Sequence, residues 1–104
     1  MNLSSLPDEI KNNLPDGYQL TPGVWLVLPE QKLLEMQIWL RAEDWYPVSL
    51  EKIIWFGDDG TGNFLGWAPA LSRAILWNPE DGESPWKTGT TKELWQFIQN
   101  GYKA

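Results

Sequence analysis

The residues best suited to chemistry lie in two acidic, glycine-punctuated stretches. These are Asp58-Asp59-Gly60-Thr61-Gly62-Asn63 and Glu80-Asp81-Gly82-Glu83, the second followed by Trp86. The first offers hard oxygen ligands, as a calcium loop does. It lacks the alternating acids, the sixth-position glycine and the distal bidentate glutamate of an EF-hand. As a phosphate cradle it fails on spacing, because Gly60 and Gly62 are followed by Gly66, one residue too late, and two adjacent aspartates oppose an anion. Paired carboxylates such as Asp44 with Asp58 or Glu80 are what glycoside hydrolysis needs, but loop acids are ordinarily just solvated. Ser4, Ser5, Ser49, Ser72 and Ser84 have no histidine to activate them, since the chain has no His and no Cys. The usual general base, the thiolate nucleophile and the commonest transition-metal ligands are therefore missing. The expectation is a chain that is not an enzyme and uses no metal and no cofactor. What remains for the first stretch is a turn whose glycines supply positive φ and whose aspartates accept local N–H bonds, or a contact with a partner.

Charge favours a partner of one kind. Fourteen Asp and Glu against eight Lys and Arg give a formal net charge of −6. Such a surface repels nucleic-acid phosphates and anionic lipid and attracts basic proteins. Eight tryptophans in 104 residues supply the second theme. Trp25, Trp55, Trp67 and Trp77 fall in apolar strand-like runs, and Trp39 and Trp95 in helical ones, so all six are expected in the core. Trp45 and Trp86 fall in polar loops, where aromatics serve as interface anchors. Loop tryptophans also suit stacking on sugars, so a small glycan-binding module is a rival reading. A single-stranded nucleic-acid platform adds a basic groove, whereas the basic residues here are scattered.

These loops need elements to hold them. Ser5-Leu6-Pro7-Asp8 reads as a capped helix start, with Leu6, Ile10 and Leu14 on one face and Pro15 as the stop. Pro15-Asp16-Gly17 and Pro22-Gly23 are turns. Val24 to Leu28 reads as a strand. Pro29-Glu30-Gln31 opens a second helix with a broad apolar stripe of Leu33, Leu34, Met36, Ile38 and Leu40. Strands are expected at Leu50 to Phe56, Asn63 to Trp67 and Ser72 to Trp77, and a loop over Asn78 to Gly89. Thr90 and Glu93 form a capping box that starts a last helix with Leu94, Phe97 and Ile98 inward, ending near Gly101. The order helix, strand, helix, three strands, helix predicts a single α+β domain over residues 1–104, an antiparallel sheet with helices packed on one face. No apolar run approaches the ~20 residues of a membrane helix. Met1-Asn2-Leu3-Ser4-Ser5 has no basic leader signature, and the absence of cysteine fits a reducing compartment. The expected location is the cytoplasm.

Several pieces together resemble one family. Ile53-Ile54-Trp55-Phe56, the Gly57 to Asn63 turn, Phe64-Leu65, Ala74-Ile75-Leu76-Trp77 and Leu94-Trp95-Gln96-Phe97-Ile98 look like the C-terminal half of a SUKH (Smi/Knr-like) domain. Leu6-Pro7-Asp8-Glu9-Ile10 is similar to that family's opening helix. Between Leu14 and Ile53 the chain is shorter than many members. The resemblance implies a bacterial immunity-type role, binding and neutralising a toxin domain, often a nuclease; other members act in regulation or as scaffolds. It brings no catalytic residues with it. Clustered charge and aromatics mark Asp58, Asp59, Glu80, Asp81, Glu83 and Trp86 as the expected contact surface for a basic toxin domain.

Overall fold

The computed structural model describes residues 3–103; Met1 and Asn2, on which the reading of the N-terminus partly rests, lie outside them. The elements are α1 (Asp8–Lys11), β1 (Tyr18–Thr21), β2 (Val24–Val27), α2 (Glu30–Ala42), β3 (Ile54–Asp58), β4 (Phe64–Ala68), β5 (Arg73–Trp77), β6 (Lys87–Gly89) and α3 (Thr91–Gln99). The six strands form one antiparallel sheet in sequence order. The architecture is therefore α+β. Neighbouring antiparallel strands need only short turns, and Gly23 (φ 84°) and Ser72 (φ 50°) supply the left-handed residues in two of them.

Helices cover both faces of the sheet rather than one, which corrects the sequence expectation. Paired residues share a face, so Phe64 lies with its partner Trp77, and Gly66 lies with its partner Trp55. This face receives α2, whose Trp39 ring stands 6.0 Å from Phe64. Ala74 pairs with Gly89 and Leu76 with Lys87 on the opposite face. There α3 packs: the Glu93 carboxylate lies 3.5 Å from where a Cβ on Gly89 would be, and the Lys87 ammonium sits 4.3 Å above the Phe97 ring. The physical reason is in β3, β4 and β5, which are buried almost without alternation. A strand apolar on both sides needs cover on both sides.

β1 and β6 lie outside the strands expected from the sequence. Tyr18-Gln19-Leu20-Thr21 alternates half-buried with exposed residues, and β6 is three residues long. Short, half-polar strands suit sheet edges but leave little apolar signal. The first helix is also shorter than its pattern. Ser5 lies in a separate 3-10 turn, Pro7 occupies the cap position with no side-chain bond, and the helix ends at Lys11. Asn13 competes for backbone groups: its side chain donates to Glu9 O at 2.8 Å. Leu6 and Ile10 are still buried.

On α2, Leu33, Met36 and Leu40 face inward, but Ile38 is 73% exposed and Trp39 is 51% exposed, so the stripe is narrower than expected. Gln37 takes the inward position instead. β2 makes its last bond to β3 beside Phe56, through Leu28 N, and leaves the Trp55 backbone edge open. The buried Gln37 amide closes it: Oε1 accepts from Trp55 N at 2.9 Å and Nε2 donates to Trp55 O.

Trp55 and Trp77 stack at 5.0 Å in the centre of the α2 face. Both indole N–H groups are used, as burial requires. Trp55 Nε1 donates to Tyr46 Oη at 2.7 Å, and Trp77 Nε1 donates to Gly82 O at 2.8 Å. These two bonds pin the loops that follow α2 and β5 onto the sheet. Gly66 leaves room for the stack, since a Cβ there would meet Ile53 Cγ2 at 2.5 Å and the Trp55 ring at 2.7 Å. Gly66→Ala is expected to destabilise the protein by about 1–3 kcal/mol through overpacking, read as a lower urea midpoint at constant m-value.

Candidate interaction surface

The Asp58 to Asn63 turn folds as its composition predicts, with each aspartate serving a different purpose. Asp58 Oδ1 accepts from Gly60 N at 2.8 Å, an Asx turn that keeps the residue half-buried. Asp59 turns inward and is 3% exposed. Its Oδ1 accepts from Thr61 N at 2.8 Å and Asn63 N at 3.1 Å; Oδ2 accepts from Asn63 Nδ2 at 2.8 Å and from the Tyr102 hydroxyl. Burial works to raise its pKa, but these bonds outweigh it and hold the carboxyl below the ordinary range. Asp59 is thus a clip joining the turn to the C-terminal end of the chain. The expected role in partner contact is corrected to an internal one, because its oxygens face protein donors.

Trp86 belongs to the same internal network. Its Nε1 donates to Asn63 Oδ1 at 3.2 Å, and its ring lies 5.7 Å from Phe97 and 6.2 Å from Tyr102. At 41% exposure it shows one side to solvent, on the flank where α3 ends.

Glu80, Asp81 and Glu83 come together on the exposed turn after β5. Asn78 caps that turn, its Oδ1 accepting from Glu80 N at 2.9 Å. Register places Asp58 at the same end of the sheet, in the row Trp25, Asp58, Phe64, Trp77. The residue missing from the expected surface is Trp45. It is 49% exposed, and its ring lies 6.4 Å from Trp77. With Pro47, Trp77, Pro79, Glu80 and Glu83 it lines a cleft of about 230 Å³. Its loop position suits an anchor; its closeness to the second acidic stretch depends on tertiary packing and has no local signal. Trp39, placed in the core by its helical setting, is also half exposed on this side.

Thus Glu80, Asp81 and Glu83 sit together, with Asp58 at the same end and Trp45 added, while Asp59 and Trp86 are committed to the turn and the C-terminal end. At the opposite end of the sheet a larger apolar cleft of about 490 Å³ is lined by Val48, Ile53, Pro69 and Leu71. Among the described residues no three acids converge as a metal site, and no helix is long and apolar enough to cross a membrane. Comparisons with protein-family models, curated proteins and solved structures find no match to this chain.

Proposed function

We propose that the chain is a non-catalytic protein-binding module, a SUKH-type immunity protein of the cytoplasm that neutralises a basic toxin domain, a nuclease being the type that suits it best. The observation that carries this reading is the pairing of Glu80, Asp81 and Glu83 on one exposed turn with the half-exposed Trp45 beside them. Among the described residues the one ion pair is Lys11 with Asp8 at 3.6 Å, so these three acids are not neutralised by the chain's own cations. A nuclease presents a surface built for phosphates. An acidic turn matches that surface and speeds encounter, while an aromatic supplies the desolvated contact.

The Glu80→Lys, Asp81→Lys, Glu83→Lys triple variant is expected to slow association with such a partner by about 10- to 100-fold at low salt and to flatten the salt dependence. The sites are exposed, so circular dichroism should report an unchanged fold. Stopped-flow mixing reads the rate; an equal rate in the folded variant would remove this turn from the interface. The exposed ring of Trp45 above a cleft also favours the glycan-binding reading. Saturable quenching of tryptophan fluorescence by an oligosaccharide, with no salt-sensitive protein partner, would choose that reading instead.

A further inference from the structure

We infer that the cleft between Trp45 and the 79–83 turn is a socket for an arginine side chain of the partner. This rests on the protein-binding reading and names the chemistry of its central contact. The cleft is lined by two tryptophans, of which Trp45 is the exposed one, two glutamates and two prolines: Trp45, Trp77, Glu80, Glu83, Pro47 and Pro79. Proline has no N–H to compete for the carboxylates. An indole face attracts a cation through its quadrupole. A guanidinium stacks flat on such a face while its edge donates two parallel bonds to a carboxylate. A lysine ammonium has no plane to stack and binds as a point charge.

Among the described residues no side chain supplies that cation. The cleft lining contains no Lys or Arg. The cation–ring contacts among the described residues lie elsewhere, Arg41 on Tyr46 at 6.0 Å and Lys87 on Phe97 at 4.3 Å. The cleft is also built before a partner arrives. Trp77 Nε1 holds Gly82 O, between the two glutamates, at 2.8 Å, and Asn78 caps the start of the turn. Walls fixed in advance lower the ordering cost of binding.

The test uses the full chain and two acetylated, amidated tripeptides, Gly-Arg-Gly and its citrulline counterpart, followed by NMR of the tryptophan indole N–H signals. Citrulline keeps the shape and removes the charge. The arginine peptide is expected to shift the Trp45 signal saturably. Binding should weaken by about tenfold with citrulline, and by a similar factor in the Glu80→Gln, Glu83→Gln variant. Trp45→Leu keeps apolar volume against Trp77 and removes the ring face; its other indole signals should no longer respond. Equal titrations by the two peptides, or no saturable shift at Trp45, would overturn the socket. A basic partner bound equally by wild type and Trp45→Leu, yet lost on reversing Glu80, Asp81 and Glu83, would overturn the socket while the protein-binding reading stands. A socket that takes the arginine peptide in a protein with no salt-sensitive protein partner would mark failure of that reading instead.

Discussion

Asp59→Ala is expected to cost about 2–4 kcal/mol of stability, because it removes a buried carboxylate and strands several donors at once. Thr61 N, Asn63 N, Asn63 Nδ2 and the Tyr102 hydroxyl all lose the Asp59 carboxylate as acceptor. Tyr102→Phe removes one of these bonds and is expected to cost about 1 kcal/mol. The pair also contributes to the pH limits of stability. The folded pKa of Asp59 lies below its ordinary 3.8, so its contribution is complete above that value and is lost as pH falls through the lowered folded one. Tyr102 shifts the other way: burial first, then the bond to Asp59 and its charge, raise its pKa above 10.0. Its contribution is complete below pH 10 and declines as pH rises further. Tyr46, raised chiefly by burial, adds to the same alkaline limb. Urea midpoints measured from pH 2 to 11 should show both limbs. Asp59→Asn should flatten the acid limb, and Tyr102→Phe should shrink the alkaline one. An acid limb unchanged in Asp59→Asn would assign it to other carboxyls.

Gln37→Leu is expected to destabilise by about 2–4 kcal/mol, although it places a more hydrophobic residue on the inward face of a helix. The reason is the Trp55 backbone. Its N–H and C=O face the Gln37 amide where β2 no longer reaches. Each buried group left unsatisfied costs about 1–3 kcal/mol. Arg41 also loses a partner, since its Nη1 donates to Gln37 Oε1 at 3.2 Å. Chemical denaturation gives the stability, and hydrogen exchange locates the loss: the Trp55 amide should become one of the fastest in β3. A Gln37→Leu protein as stable as wild type would mean that water or a backbone shift satisfies Trp55 instead.

Gln37 also shows where sequence reasoning stops. The periodicity of α2 is visible in Leu33, Met36 and Leu40. Which polar residue turns inward depends on where a distant strand ends. Local signals were reliable where the physics is local. The Thr90–Glu93 capping box forms with both bonds, and the 58–63 turn uses Asx bonding as its composition predicts. The strands expected over Leu50 to Phe56 and Ser72 to Trp77 form as Ile54–Asp58 and Arg73–Trp77, with Leu50 falling instead in a 3-10 turn, Val48–Leu50. Their lack of alternation requires cover on both faces, which α2 and α3 supply. Asp58 and Asp59 are adjacent and chemically identical in the sequence, yet only one is internal, because only Asp59 is met by Tyr102 from 43 residues away. Trp45 and Glu80 are likewise far apart along the chain and meet only through Trp77, which packs against the first and pins the turn of the second.

The acidic turn beside Trp45 is proposed to bind a basic protein. The most direct measurement is a low-salt affinity capture from the native host, run in parallel with wild type and with the Glu80→Lys, Asp81→Lys, Glu83→Lys variant, with mass spectrometry of what is retained. The expected result is a basic toxin domain held by the wild type, released by salt and absent from the variant. Equal retention of that protein by the folded variant, or retention only of proteins indifferent to salt, would contradict it.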